Sequence, residues 1–277
     1  MKPVIVVTGT RPEIIKMAPI IRALNRAGLP AISVHCGQHY DYSMAQQFIE
    51  NLELQAPNFW LKIEASSPGA QTAEIMAKMD QLLAEVEASI VLVEGDTNTV
   101  LSAALAANKR SVPIGDVEAG LRSFDLRMPE EHNRRLTDHI SEYLFAPTER
   151  AIGNLRAEKA WGKIYLTGNT AIDAARTARR LGAKVTIVYR RGRDEMPANE
   201  VEIVAAEEEG IEIMLLAAPT KVIVDGGKVK AMECVKMKLG APDASGRPRP
   251  EPIAGSEFKL DVDTIVPALG QAPNLSF

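Results

Sequence analysis

Polar clusters that could do chemistry each stand at the end of an apolar, β-branched run. Gly9-Thr10-Arg11-Pro12-Glu13 follows Val4–Thr8, and Gly37–Ser43, which contains His39, follows Ala31–Cys36. Gly95-Asp96-Thr97-Asn98-Thr99 follows Ile90–Glu94, and Glu118-Ala119-Gly120-Leu121-Arg122 closes the run Val112–Glu118. Carboxylates can move protons, and lysine or arginine can neutralise anionic charge. Glu118 ends an apolar strand, where burying a carboxylate is costly without a purpose. Asp96 has a second reading as the cap of the helix that follows. Glu130 and Arg134 lie four apart and share a helix face, and on spacing alone a surface ion pair is the preferred reading. His39 by itself reads as a structural loop residue. Arg190-Arg191 closes the strand Val185–Tyr189 and is either a solvated basic turn or a contact for a 2′-phosphate.

The elements that must position these residues alternate strand and helix. Helices are expected at Ile14–Ala27, near Met44–Leu52, and at Thr72–Val86, where Ile75, Met79, Leu82, Leu83 and Val86 share one face. Further helices are expected at Val100–Ala107, Glu130–Ser141 and Thr148–Ala157, with strands at Tyr143–Ala146 and Lys163–Thr167. This order predicts an α/β fold with a doubly wound, parallel, Rossmann-like sheet over residues 1–167. Ligands of such sheets sit outside the carboxyl ends of the strands, where the polar clusters fall. A smaller Rossmann-like nucleotide-binding domain is expected over 168–277. It has helices at Ala171–Leu181 and Asn199–Glu209, a strand at Ile211–Leu216 and an antiparallel hairpin turning at Gly226-Gly227. Ala241–Pro252 reads as an exposed loop, and Phe258–Asp261 and Thr264–Ala268 as the last strands. Strand Lys163–Thr167 could serve both sheets, and the expectation is that it pairs with Val185–Tyr189.

The chain has 277 residues, a net charge of −4, 46% hydrophobic and 25% charged residues. That balance points to no nucleic-acid or membrane-surface partner. Cys36 and Cys234 form no CxxC pair, which argues against a cysteine metal site and suits a reducing, cytoplasmic setting. The opening apolar run is too short for a signal peptide, and no run approaches a membrane span.

The first part resembles the non-hydrolysing UDP-N-acetylglucosamine 2-epimerases. The resemblance rests on Gly9-Thr10-Arg11-Pro12-Glu13 with Lys16, Gln38-His39, Gly95-Asp96-Thr97 and Val117-Glu118-Ala119-Gly120-Leu121-Arg122, followed by Pro129-Glu130-Glu131-His132-Asn133-Arg134 and Thr167-Gly168-Asn169-Thr170. It implies removal of the sugar C2 proton, elimination of UDP and re-addition, with no nucleotide cofactor and no metal. By the same resemblance Asp96, Glu118 and Glu130 are acid, base or positioning carboxylates. Arg134 acts beside them, and Arg11, Lys16 and His39 bind substrate. The family's second domain carries a His-Arg-Arg-Glu-Asn segment, which this sequence lacks.

Residues Asn169–Asn274 resemble the NADPH-binding domain of the glutamate synthase small-subunit family of flavin-dependent oxidoreductases. The carrying residues are Gly168-Asn169-Thr170-Ala171-Ile172-Asp173-Ala174-Ala175-Arg176, Val188-Tyr189-Arg190-Arg191, Glu195-Met196-Pro197-Ala198, Gly255-Ser256-Glu257-Phe258 and Val266–Asn274. Cofactor contacts implied by this resemblance are Gly168, Asn169, Ala171, Arg190 and Arg191. The family's turn reads Gly-Gly-Gly-Asn-Thr-Ala, whereas this chain has Leu166-Thr167-Gly168-Asn169-Thr170-Ala171, two glycines short of a close pyrophosphate approach. The expectation is a hybrid that binds a nucleotide sugar without turnover, with weak NADPH binding and no FAD, in a homodimer. The alternatives are an NADPH-binding oxidoreductase fragment and a chimeric scaffold with no activity. Restoring glycine at Leu166 and Thr167 is expected to tighten NADPH binding in a fluorescence titration. An unchanged curve would show that this turn is not a phosphate cradle.

Overall fold

The computed structural model describes residues 1–37, 49, 52, 54–180, 182–196, 198, 200–242 and 248–265. Compactness divides the chain into two units, 1–174 and, among the described residues, 175–265. His39 and nearly all of the helix expected near Met44–Leu52 lie outside the described residues.

The first unit is one parallel sheet of seven strands in the order β3-β2-β1-β4-β5-β6-β7. These strands are β1 (Val4–Thr8), β2 (Ala31–Gly37), β3 (Phe59–Lys62), β4 (Ile90–Glu94), β5 (Ile114–Val117), β6 (Tyr143–Ala146) and β7 (Lys163–Leu166). Helices α1 (Arg11–Arg26), α2 (Pro68–Glu85), α3 (Asn98–Lys109), α4 (Pro129–Ile140) and α5 (Glu149–Ala157) connect them. Strand alternation assigns the two faces. Ile5, Val7, Val91 and Val93 pack with Met79 of α2 and Ala103 and Ala107 of α3. Val6 and Leu92 point the other way and pack on Met17 of α1. With helices on both faces, the β-branched strands can be apolar throughout. The order reverses between β1 and β4, so their carboxyl ends open onto the switch point.

Strand β7 corrects the expectation made for it. Lys163–Leu166 pairs with β6 in the register Tyr143↔Lys163 to Ala146↔Leu166, and the Thr167 amide extends the ladder to the Ala146 carbonyl at 3.0 Å. Strand β8 (Thr186–Tyr189) pairs instead with β9 (Glu212–Leu215). Ile164 packs in a cluster with Leu144, Leu155 and Ala119, which holds β7 to its own crossover helix α5. Tyr165 and Leu166 are 44% and 43% exposed at this edge of the sheet.

Helix α6 (Thr170–Arg180) runs across the division of the chain. In the second unit its Arg176 pairs with Glu209 at 2.5 Å, just past helix α7 (Glu200–Glu208). The parallel part of this unit is the β8–β9 pair, less than the Rossmann-like sheet expected. Beside it in sequence, β10 (Ala217–Asp225), β11 (Lys228–Pro242) and β12 (Pro248–Asp261) form an antiparallel sheet turning at Gly226-Gly227. Of the segment expected as a loop over 241–252, the described residues 241–242 and 248–252 are strand. Among the described residues no helix is long and apolar enough to cross a membrane, and no three ligating side chains gather as a metal site.

Leu144→Ala should remove a fully buried side chain between β5 and β7. The expected loss is about 2–5 kcal/mol of unfolding free energy, read from urea denaturation as a lower midpoint at unchanged slope.

Candidate active site

The switch point is built by turns that demand small or specially placed residues. A Cβ on Gly9 would lie 2.2 Å from Thr99 Oγ1, so only glycine lets the β1–α1 turn approach α3. Thr10 precedes α1 without a side-chain cap. Instead the Glu13 carboxylate accepts from the Gly9 amide at 2.5 Å and from Thr97 Oγ1 at 2.8 Å, joining the turns after β1 and β4. Thr97, not Asp96, caps α3. Burial pushes the Glu13 carboxyl up to about 6, against the hydrogen bonds it accepts.

One turn along α1, Lys16 Nζ lies 2.8 Å from Glu94 Oε1 and 2.7 Å from Glu118 Oε2. Glu94 ends β4 and its side chain is 1% exposed, Glu118 follows β5 at 9%, and Lys16 is at 18%. Glu118 adopts φ 65°, a left-handed conformation that costs a side-chain-bearing residue about 1–2 kcal/mol. Burial works against the Lys16 charge, but Glu118 and Glu94 more than offset it and hold the ammonium above its usual range. Burial pushes Glu94 well above the usual carboxylate range, and Glu118 adds to this against the pull of Lys16. Burial would raise Glu118 too, yet Lys16 and a hydrogen bond from Glu94 keep it below its usual range. The arrangement is thus two buried carboxylates facing one cation, with proton affinity raised at Glu94 and lowered at Glu118.

The turn after Glu118 is seated from beneath. Gly120 has φ 80°, and a Cβ there would lie 2.4 Å from the Ala151 carbonyl oxygen. Its amide donates to Asp138, which also takes the buried Arg122 guanidinium at 2.6 Å. Arg122 reaches Glu158 at 2.6 Å as well. Burial raises Asp116 well above its usual range, and the neighbouring Asp138 raises it further.

Arg134 forms an ion pair with Asp96 and lies 3.2 Å from Glu131. Asn133 Nδ2 donates to the Asp96 carbonyl at 2.8 Å. The Glu130–Arg134 surface pair suggested by spacing is therefore not what forms; the fully buried Glu131 takes that place. Glu131 also accepts from the Ser123 amide and hydroxyl, both at 2.9 Å, and so ties the loop after Glu118 to α4. The Oε2 of Glu130 is buried without a hydrogen-bond partner among the described residues. Arg11 is exposed at the start of α1. Asp96, Glu118, Lys16 and Arg134 are thus brought to the ends of β4 and β5. Sequence reasoning missed Glu13, Glu94 and Glu131, although Glu94 carried a signal, since a carboxylate ends an otherwise apolar strand.

The family model for UDP-N-acetylglucosamine 2-epimerase matches residues 22–205, more than half of the chain. The chain belongs to this family. A curated UDP-N-acetylglucosamine 2-epimerase of Methanocaldococcus jannaschii is 48% identical over 170 residues, 61% of this chain and 46% of that one. The crystal structure of the Methanocaldococcus jannaschii epimerase in complex with UDP-GlcNAc and UDP superposes with TM-score 0.60 at 38% identity, covering 78% of this chain and 66% of that chain. This chain spans about half the length of the curated epimerases it matches.

The epimerase part is joined to a second kind of domain. The model for pyridine nucleotide-disulphide oxidoreductase matches residues 152–277. NADPH-Fe(3+) oxidoreductase subunit beta of Geobacter sulfurreducens is 54% identical over 112 residues, 40% of this chain and 17% of that one. The two matches overlap over 152–205, the stretch that contains β7, α6 and β8. Within it Gly168 turns at φ 83° and Asn169 is buried, and Ala171 lies in the first turn of α6. Arg190 is exposed, whereas Arg191 is buried and donates through Nε to the Pro248 carbonyl at 3.0 Å. Leu166 and Thr167, which replace the family's glycines, extend the ladder of β7 with β6.

The Glu13 carboxyl gives this site a pH signature. Its folded pKa of about 6 lies above the ordinary 4.5, so folding favours the protonated form. Its contribution is fully present below about pH 4.5 and is lost as pH rises through about 6. Relative to Glu13→Gln, the wild type should gain about 2 kcal/mol of stability between pH 7 and pH 4, measured by urea unfolding at each pH.

Proposed function

We propose that the first unit binds a nucleoside-diphosphate sugar of the UDP-N-acetylglucosamine class at the carboxyl ends of β1, β4 and β5. The observation that carries this reading is the Lys16–Glu118 contact at the switch point, made by a glutamate in left-handed backbone. Strain of this kind persists where a site needs a side chain aimed in one direction. Lys16, Arg11 and Arg134 supply positive charge for the diphosphate. Asp96, Glu118 and Glu130 supply carboxylates that could take and return the C2 proton. The buried, unpartnered Oε2 of Glu130 supports a ligand contact there.

We further propose binding without appreciable turnover. Past the epimerase match the chain continues as the oxidoreductase-like part rather than as the relatives' remaining half. Holding a leaving diphosphate in place can be worth on the order of 7 kcal/mol or more of barrier, which is the contribution at stake. The second unit is read as a weak NADPH site without flavin, because Arg191 is engaged with backbone and the glycine-poor turn belongs to β7. The whole is read as a homodimer of a reducing cytoplasm.

The test is proton NMR of the anomeric signals with UDP-N-acetylglucosamine. Ligand line broadening that Lys16→Met weakens about tenfold, with no manno epimer over hours, is the expected outcome. Robust appearance of the manno epimer would refute the no-turnover reading, and broadening indifferent to Lys16→Met would refute the placement of the site. Purified protein should also be colourless, and flavin absorbance would contradict the assignment of the second unit.

A further inference from the structure

We propose that Lys16 is a ligand-operated latch: it neutralises the Glu94–Glu118 pair in the free protein, and a bound diphosphate draws it away, so that binding loads a proton onto the pair. The proposal rests on the reading that the first unit binds a nucleoside diphosphate, and it adds Glu94 as a positioning and proton-holding residue.

The geometry carries the argument. Three groups come from three elements, α1, the end of β4 and the residue after β5, and meet through one ammonium at 2.8 and 2.7 Å. Glu94 is sealed at 1% exposure and Glu118 nearly so, while Lys16 is the most open of the three. An incoming anion therefore meets the ammonium first. Lys16 sits one turn from the α1 N-terminus, where backbone amides favour negative charge. A flexible four-carbon stem lets an ammonium change partners at little cost, unlike a forked guanidinium. Two buried carboxylates that lose their shared cation to a phosphate cannot both stay ionised.

The sign follows directly. The positive charge of Lys16 lowers the proton affinity of both carboxylates, so its departure raises that affinity and protons are taken up from solvent. Other charged groups facing the pair are Glu13 on α1, Asp116 on β5 and Arg134 on α4. Glu13 and Asp116 push in the same direction as the ligand's phosphates. Arg134 opposes them but is already engaged by Asp96 and Glu131. Uptake should be largest at mildly acidic pH and fall as pH rises. No bond is made or broken; a solvent proton moves onto a carboxylate oxygen of the pair.

Isothermal titration with UDP-N-acetylglucosamine tests this on the full chain, because the phosphates of that diester do not titrate in this range. Binding heats in buffers of different ionisation enthalpy, from pH 5.5 to 7.5, give the protons taken up per ligand. The expected result is net uptake in the wild type that declines with pH, reduced in Glu94→Gln while binding persists. Zero uptake in the wild type, or uptake in Glu94→Gln equal to the wild type, would overturn the latch while leaving the binding reading intact. Absence of any binding heat at millimolar ligand would overturn the binding reading and the latch together.

Discussion

One ammonium facing two buried carboxylates is the constraint around which the first unit is arranged. Removing a charge from water costs several kcal/mol unless a partner and hydrogen bonds replace the solvent. Lys16, Glu94 and Glu118 meet that demand only because α1, β4 and β5 place both carboxylates within 3 Å of the ammonium. The apolar cores on both sheet faces keep those strands in register, and the Gly9 turn lets α1 start close enough to reach. A core that shifted α1 by an ångström would leave a buried carboxylate without its counter-charge.

The second requirement is a rigid seat for Glu118. Its left-handed backbone is held by Gly120, whose amide is fixed by Asp138, itself paired with Arg122 and through it with Glu158. Glu131 clamps the following loop at Ser123 and shares Arg134 with Asp96. Two layers of polar contacts thus connect α4 and the end of α5 to the turn that carries Glu118. A buried polar network of this kind specifies one geometry because a partly satisfied version would be costly.

Strand β7 shows how one segment resolves competing demands. Its residues lie within both family matches, and its neighbour in sequence on either side offers a βαβ crossover. The α5 crossover prevails because Ile164 joins a cluster already closed by Leu144 and Leu155. The second unit is consequently left with a two-stranded parallel pair, and its larger sheet is the antiparallel one.

Much of this was legible from residue order alone. Continuous apolar runs located β1, β2, β4 and β6, and helical patterning located α2 and α5, within a few residues, because burial dictates those patterns locally. The convergence of Gly9–Glu13, Gly95–Thr99 and Glu118–Arg122 also followed, since a doubly wound sheet gathers its strand ends. Strand β3, Phe59–Lys62, escaped notice. The partners of Arg134 and Lys16 escaped because spacing along a helix reports neighbours on that helix only. Asp96, Glu94 and Glu118 reach them across the fold, whereas Glu131 lies three residues from Arg134 on the same helix. The choice of sheet for Lys163–Leu166 was likewise a tertiary decision: its sequence suits either edge, and packing of Ile164 against Leu144 and Leu155 selects one.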